Sequence, residues 1–142
     1  MTTPMNETSR GFSWLYSLLT GDATLAGLLP GGWSRDMADP GTPTPFGVFS
    51  LQSATDVKGA GGYRQMVNAL YQITIAGPAT EYAIIVAASD RVDVLLGRAS
   101  GSTTDAYILS ATREQTIELP KLEDGVLWST RRILERIYIS SK

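Results

Sequence analysis

The clearest pattern in the chain is an alternation of apolar and polar residues between Met66 and Ala76. Successive side chains of a β-strand point to opposite faces, so the alternation predicts a strand with one buried face. Leu70 is an exception, because it falls among the polar positions. The stretch from Phe46 to Ser53 carries apolar residues on both faces and predicts a strand buried on both sides. The apolar positions of the first strand are Val67, Ala69, Tyr71, Ile73 and Ile75.

Two other segments repeat their residues at helical spacing. Thr8 or Ser9 precedes the first segment as an N-cap residue. The second segment runs from Glu81 to Arg98 and predicts the second main helix. The positions that recur with the helical period are Phe12, Leu15, Tyr16 and Leu19 in the first segment and Tyr82, Ile85, Val86, Ser89, Val92 and Leu96 in the second.

Shorter elements fill the rest of the chain. Asp22 is expected to cap a short helix from Ala23 to Leu29. The final run from Val126 to Ile139 is compatible with a helix or a strand. We favour a strand, because the run is rich in β-favouring residues and follows the turn signal Glu123-Asp124-Gly125. The remaining predicted strands are 33–37, 107–111 and 113–119.

This order of elements predicts an α+β fold. A mainly antiparallel β-sheet contains a long β-hairpin, and two main helices pack on one face of the sheet. The chain has 142 residues, which fit one domain spanning 1–142. Residues 1–8 are mostly polar, and we expect them to be disordered.

Composition restricts the possible functions. The chain is 43% hydrophobic and 18% charged with a net charge of −2, which is typical of a globular protein without the basic field of a tight nucleic-acid binder. It contains no cysteine and no histidine, which excludes disulfides, thiolate chemistry and hydrolases of the Ser-His or Cys-His type. No apolar run approaches the length of a membrane span. We therefore expect no enzyme activity, no cofactor, no metal and no membrane association.

The glycine-rich stretch DVKGAGGYRQ raises the possibility of a phosphate-binding loop. A Walker loop requires Lys and Ser or Thr after its glycines, and a dinucleotide fingerprint requires a following helix. Here a predicted strand follows, so a flexible hairpin loop over residues 53–65 is the better interpretation. The loop is longer than a connector needs, which is typical of a partner-binding loop. Its candidate interaction residues are Lys58, Gly59, Gly61, Gly62, Tyr63 and Arg64.

A second candidate site is the arginine cluster Arg131, Arg132 and Arg136. On a strand, Arg132 and Arg136 share one face, while Arg131 and Glu135 share the other. One interpretation is protection of an edge strand by charge. The other, of equal weight, is a subunit contact or the lining of a channel that faces DNA.

The order and spacing of these segments resemble the tail-completion, or tail-terminator, family of long-tailed (siphovirus-like) bacteriophages and gene-transfer particles. The resemblance rests on LLTGDATLAGLL at the end of the first helix, the strand PFGVFSLQS after a proline-rich loop, and the strand ALYQITIAG. It continues in the helix EYAIIVAASDRVDVLLG and the final strand LWSTRRILERIYIS.

This resemblance implies a structural protein of the virion tail or neck, made in the host cytoplasm. Such a protein forms a homo-oligomeric ring, expected to be a hexamer, that ends the tail tube and joins it to the head connector. Its partners are other copies of itself, the tail-tube protein and the connector, and DNA passes through the lumen without sequence recognition. The resemblance carries no catalytic residues.

Two other functions remain open from the sequence. A head-completion or neck adaptor belongs to the same structural class and differs in its partner. A small-ligand-binding α+β module requires an apolar pocket between sheet and helices. The spacing of polar residues shows no constellation that would orient a ligand.

Overall fold

The computed structural model describes residues 7–59, 62, 64–97, 99–103 and 106–141. These residues form three α-helices, seven strands and a 3-10 turn at Ala79–Glu81. The helices are α1 (Glu7–Thr20), α2 (Ala23–Leu28) and α3 (Tyr82–Leu96). The strands are β1 (Trp33–Arg35), β2 (Phe46–Lys58), β3 (Arg64–Pro78), β4 (Gly101–Ser102), β5 (Ala106–Glu118), β6 (Lys121–Glu123) and β7 (Val126–Ser141).

The strands form one curled sheet in the order β1-β2-β3-β7-β5-β4, and β6 pairs with the start of β7. Only the short β1 runs parallel to its neighbour, so the described sheet is mostly antiparallel. This confirms the α+β fold predicted from the sequence, including the strand at the C-terminal end. Asp124 and Gly125 both have positive φ, which is the conformation of the tight turn predicted between β6 and β7.

The β2–β3 hairpin is longer than the sequence pattern indicated. Its pairing extends from Phe46 opposite Ala76 to Lys58 opposite Arg64, with a bulge at Gln52. The predicted loop over residues 53–65 is therefore wrong for most of its length. Backbone pairing continues past the last buried side chain, and the polar side chains of this part of β2 are exposed on both faces.

Other element limits also differ from the prediction. α1 begins at Glu7, so residues 7 and 8 belong to a helix and the predicted disordered segment 1–8 is wrong at its end; residues 1–6 lie outside the described residues. The two strands predicted at 107–111 and 113–119 are one strand, β5, because Thr112 between them pairs with Arg136 and the ladder with β7 continues across bulges at Leu109 and Glu114.

The helices cover one face of the sheet. α1 contributes buried Leu15 and Leu19, and α3 contributes buried residues such as Ile85 and Val92. They meet the alternating apolar side chains of the two central strands, β3 and β7. The fully buried core residues of these strands are Ala69, Tyr71, Ile73, Ile75, Ile133, Ile137 and Ile139.

Tyr71 joins the middle of the sheet to the first turn of α1. Its hydroxyl donates a 2.7 Å hydrogen bond to the Thr8 carbonyl, and its ring meets Phe12 edge to face at 5.3 Å. Burial raises the pKa of Tyr71, so it stays protonated and able to donate. Gly11 faces this hydroxyl, and a Cβ at that position would overlap it.

Asp22 fixes α2 against α3. Its carboxylate accepts a hydrogen bond of 3.0 Å from the Leu25 N–H, which makes it the N-cap predicted from the sequence. The same carboxylate receives two hydrogen bonds, of 3.0 and 2.8 Å, from the Arg91 guanidinium. The hydrogen bond from Arg91 lowers the pKa of Asp22.

The contact between Gly11 and Tyr71 yields a test of this packing. We expect Gly11→Ala to destabilise the fold by about 1–3 kcal/mol, because the new methyl group overlaps the tyrosine hydroxyl. Tyr71→Phe should cost about 1 kcal/mol, because it removes the hydrogen bond to Thr8. The double variant should lose less stability than the sum of the two single costs, because removing the hydroxyl relieves the closest of the contacts that the methyl group makes. Urea unfolding of the four proteins measures the coupling, and additive costs would contradict this contact.

Candidate functional site on the open face of the sheet

The sheet leaves one face uncovered by the described helices. We call it the open face, and it consists of the side chains that alternate with the buried core positions. They are half-buried or exposed, and most are polar and uncharged. The members on the four long strands include Val48 and Ser50 of β2, Gln72 and Thr74 of β3, Arg132, Leu134, Arg136 and Tyr138 of β7, and Thr112 and Gln115 of β5.

Arg132 and Arg136 both lie on the open face, as the two-residue period predicted. Arg132 is opposite Thr74 and Arg136 is opposite Leu70 on β3. Arg136 is neutralised, because its Nε donates to Glu114 and its Nη1 donates to the Asn68 side chain at 2.5 Å. Arg132 forms no ion pair with a described residue, and its buried Nε has no hydrogen-bond partner there.

Arg131 is separated from the other two arginines. It lies on the helix-covered face and forms an ion pair with Glu118 at 3.3 Å. The same carboxylate accepts a 2.7 Å hydrogen bond from the Tyr82 hydroxyl of α3. This hydrogen bond raises the pKa of Tyr82. Arg131 therefore connects β7 to β5 and α3, and the three arginines divide between the two faces of β7 as the two-residue period predicted.

The second candidate set, at the hairpin tip, is only partly described. Lys58 is exposed at the end of β2, and Arg64 pairs with it in the ladder at the start of β3. Gly59 follows β2, and Gly62 has a φ of +82°, a conformation that favours glycine. Gly61 and Tyr63 lie outside the described residues. The tip and Arg132 lie toward opposite ends of β3, so the two predicted sets do not form one site.

Glu135 is a buried acid that the sequence reasoning did not single out. Its side chain is 1% exposed on the helix-covered face of β7, opposite Tyr71 on one side and Arg113 on the other. Burial, together with the negative charge of Asp93, raises the pKa of Glu135 to about 7, although Arg113 opposes this. The signal was present, because Glu135 takes a core position in the alternation with Ile133 and Ile137.

Glu135 lies at the base of a shallow pocket of about 210 Å³, lined also by Asp93, Gly97 and Arg113. Asp93 pairs with Arg113 at 2.5 Å, which leaves Glu135 Oε2 without a hydrogen-bond partner among the described residues. Two carboxylates beside one arginine form an ion-pair arrangement that crosses from α3 to the sheet. Across the described part of the chain, no three carboxylates converge as metal ligands.

A larger groove of about 490 Å³ runs along α1 beside β1 and β2. Phe12, Tyr16 and Phe49 form its apolar wall, and the Arg35 guanidinium lies 4.5 Å from the centre of the Phe12 ring. Ser13 and Ser17 complete the described lining of this groove, which includes no carboxylate. No helix within the described ranges is long and apolar enough to cross a membrane.

The fold has a close counterpart among solved structures. The chain is similar to a chain in the structure of the virion of a native gene transfer agent (GTA) particle, with a TM-score of 0.72 and 17% sequence identity. The similarity covers 96% of this chain and 99% of that chain. At this identity the likeness shows a shared fold. No protein-family model matches the chain, and no curated protein sequence matches it.

The raised pKa of Glu135 predicts a specific dependence of stability on pH. Because its pKa is raised from 4.5 to about 7, the contribution of Glu135 to stability is greatest below pH 4.5, and up to about 3 kcal/mol of it is lost as the pH rises through 7. We expect Glu135→Gln to remove this loss, since the amide cannot ionise. Relative to the wild type, the variant should therefore gain stability between pH 5 and pH 8.

Urea unfolding at a series of pH values measures this difference. The control is Glu123→Gln, which changes an exposed carboxylate on β6. It should leave the pH dependence as in the wild type. Parallel curves for Glu135→Gln and the wild type would show that the carboxyl of Glu135 titrates normally.

Proposed function

We propose that the protein is a structural component of a phage-like virion. The observation that carries the proposal is the likeness to a chain of the GTA virion, which extends over nearly the whole length of both chains. The chain therefore consists of little beyond the shared fold. The absence of histidine and cysteine from the sequence agrees with a structural role.

The specific role proposed is that of a tail terminator. In this role, copies of the protein form a ring at the end of the tail tube, and the ring is expected to be a hexamer. The ring joins the tube to the head connector, and DNA passes through its lumen. The protein acts in the tail or neck of the virion after synthesis in the host cytoplasm. It catalyses no reaction and uses no cofactor.

The chemistry of the open face supports its position as the wall of the lumen. A conduit has to admit DNA without retaining it, and each phosphate neutralised by a free cation adds affinity. Most open-face residues are uncharged, and the charge of Arg136 is balanced by Glu114. Arg132 then contributes one free positive charge per copy, too few for tight binding.

The first test is the mass of the protein in solution with and without the tail-tube protein of its particle. Light scattering after size exclusion should give a closed ring, or a monomer that becomes a ring on the tube. A monomer that ignores the tube protein would contradict the terminator role. If it binds the connector instead, the head-completion or neck adaptor would replace the terminator within the same structural class.

The neighbours Arg131 and Arg132 provide a matched test of the lumen. We expect Arg132→Gln to weaken the salt dependence of duplex DNA binding by the assembled protein, by about 0.9 in the slope of log K against log salt for each phosphate that the variant no longer neutralises. Arg131→Gln should leave the slope unchanged, because Arg131 faces the helices and pairs with Glu118. Fluorescence anisotropy with a labelled duplex gives both slopes. Equal effects of the two variants would argue against an open face that touches DNA.

A further inference from the structure

The outer edge of β2 is bare over its second half. β1 pairs with β2 only from Gly47 to Phe49, and the Asp36 N–H extends that contact by one hydrogen bond to the Phe49 carbonyl. Among the described residues, no strand pairs with the outer edge of Gln52–Lys58. This part of the edge is therefore open to pairing with another strand.

The opposite edge of the sheet, on β5, is bare in a similar way. β4 pairs only with Tyr107 and Ile108, and the Ala111 N–H donates to the Ala99 carbonyl. In the part of the chain that the structure describes, no strand pairs with the outer edge of Thr112–Glu118. As far as the structure describes it, the sheet thus ends in two segments of comparable length that have no neighbouring strand, one on each side.

The two segments have complementary directions. Along the order β2-β3-β7-β5 every neighbouring pair is antiparallel, so β2 and β5 run in opposite directions. If a second copy continues the sheet in the same orientation, its β2 meets β5 of the first copy as an antiparallel pair. This contact is heterologous, because it joins two different surfaces and leaves one of each free at the ends.

We propose that the partner of each bare edge is a second copy of this chain, with Ser53–Val57 of one copy pairing with Thr112–Ile117 of the next. The proposal rests on the ring of the proposed function and names the contact that closes it. Thr55 lies opposite Gln115, and Ser53 lies opposite Ile117. All four side chains point to the open face, as their partners within the sheet show.

This register also brings opposite charges together. β5 has a bulge at Glu114, so Arg113 comes opposite Asp56 of the neighbouring copy. Both side chains point to the helix-covered face. In the strand register of one copy, Arg113 lies opposite the core position Glu135 and Asp56 lies opposite the core position Val67. Arg113 already forms an ion pair with Asp93 in its own copy, so the register is favoured mainly because it avoids the like-charged pair of Asp56 and Glu114.

The register is also compatible with closure into a barrel. Within one copy, the strand pairing places Thr116 in the same row across the sheet as Ile73 of β3. Its proposed partner in the next copy, Ala54, lies in the same row as Ala69 of that copy. Each copy is thus shifted relative to the previous copy by four residues, or about 13 Å, along the strand direction. The four long strands of one copy span about 19 Å across the sheet. This ratio corresponds to a strand tilt of about 35°, at the lower end of the range of closed barrels.

The absence of native cysteine allows a clean test by disulfide formation. The variant Thr55→Cys/Gln115→Cys places thiols on the same face at paired positions, and Ser53→Cys/Ile117→Cys checks the register. The matched control is Ala54→Cys/Gln115→Cys, which differs by one residue and places the thiols on opposite faces. Variants with a single cysteine can form covalent dimers at most. Covalent products larger than a dimer, formed by a double-cysteine variant, therefore report the contact between β2 and β5 of successive copies.

Oxidation of the protein assembled on the tail tube should convert the same-face pairs into a ladder of covalent multimers, at least roughly tenfold faster than the opposite-face control. Circular dichroism first verifies that each variant is folded. A ring by light scattering without cross-linking of either same-face pair overturns the edge contact and leaves the terminator role standing. Equal rates for the pair and its control also overturn it. The absence of any ring overturns both proposals.

Discussion

The fold depends on the contact between the middle of the sheet and the first turns of α1. Tyr71 lies on a central strand, and its hydroxyl, which needs a partner once it is buried, finds the Thr8 carbonyl. Gly11 leaves the space that this approach requires. This contact holds α1 to one face of the sheet, and α3 packs on the same face through its own buried residues. The opposite face and two strand edges stay accessible, and these are the surfaces on which both proposals rest.

Much of the fold was predictable because buried positions are occupied by apolar residues at the spacing of a strand or a helix. The alternation around Tyr71 predicted β3. Asp22 was recognisable as an N-cap because it directly precedes a short helical segment and its carboxylate can accept a hydrogen bond from that segment. The second half of β2 was missed for the opposite reason. From Ser53 to Asp56 the strand is held by backbone pairing while its side chains are exposed, so its residue types are those of a loop. β5 was divided into two strands for a similar reason, because Thr112 is polar and exposed although its backbone pairs with Arg136.

The candidate site was predictable to a similar extent. The period of two correctly placed Arg132 and Arg136 on one face of β7. It gave no information on the partner of Arg136, because Glu114 reaches that arginine only through the β5–β7 register and the bulge in β5. Glu135 was overlooked because the charges around it were interpreted as protection of an edge strand, whereas the fold buries it beside Asp93 and Arg113.

The two bare edges have a consequence for how copies accumulate. Under the proposed pairing, a linear assembly of any length exposes one β2 edge and one β5 edge, as many as a single copy does. Each added copy covers one β2 edge and one β5 edge but leaves the arc with the same two open ends, so no intermediate length is a natural stopping point. Closure alone removes both ends at once. Such a system favours a mixture of free protein and completed circles, in which partial arcs are rare. The geometry of one edge contact would then set the number of copies in the whole assembly.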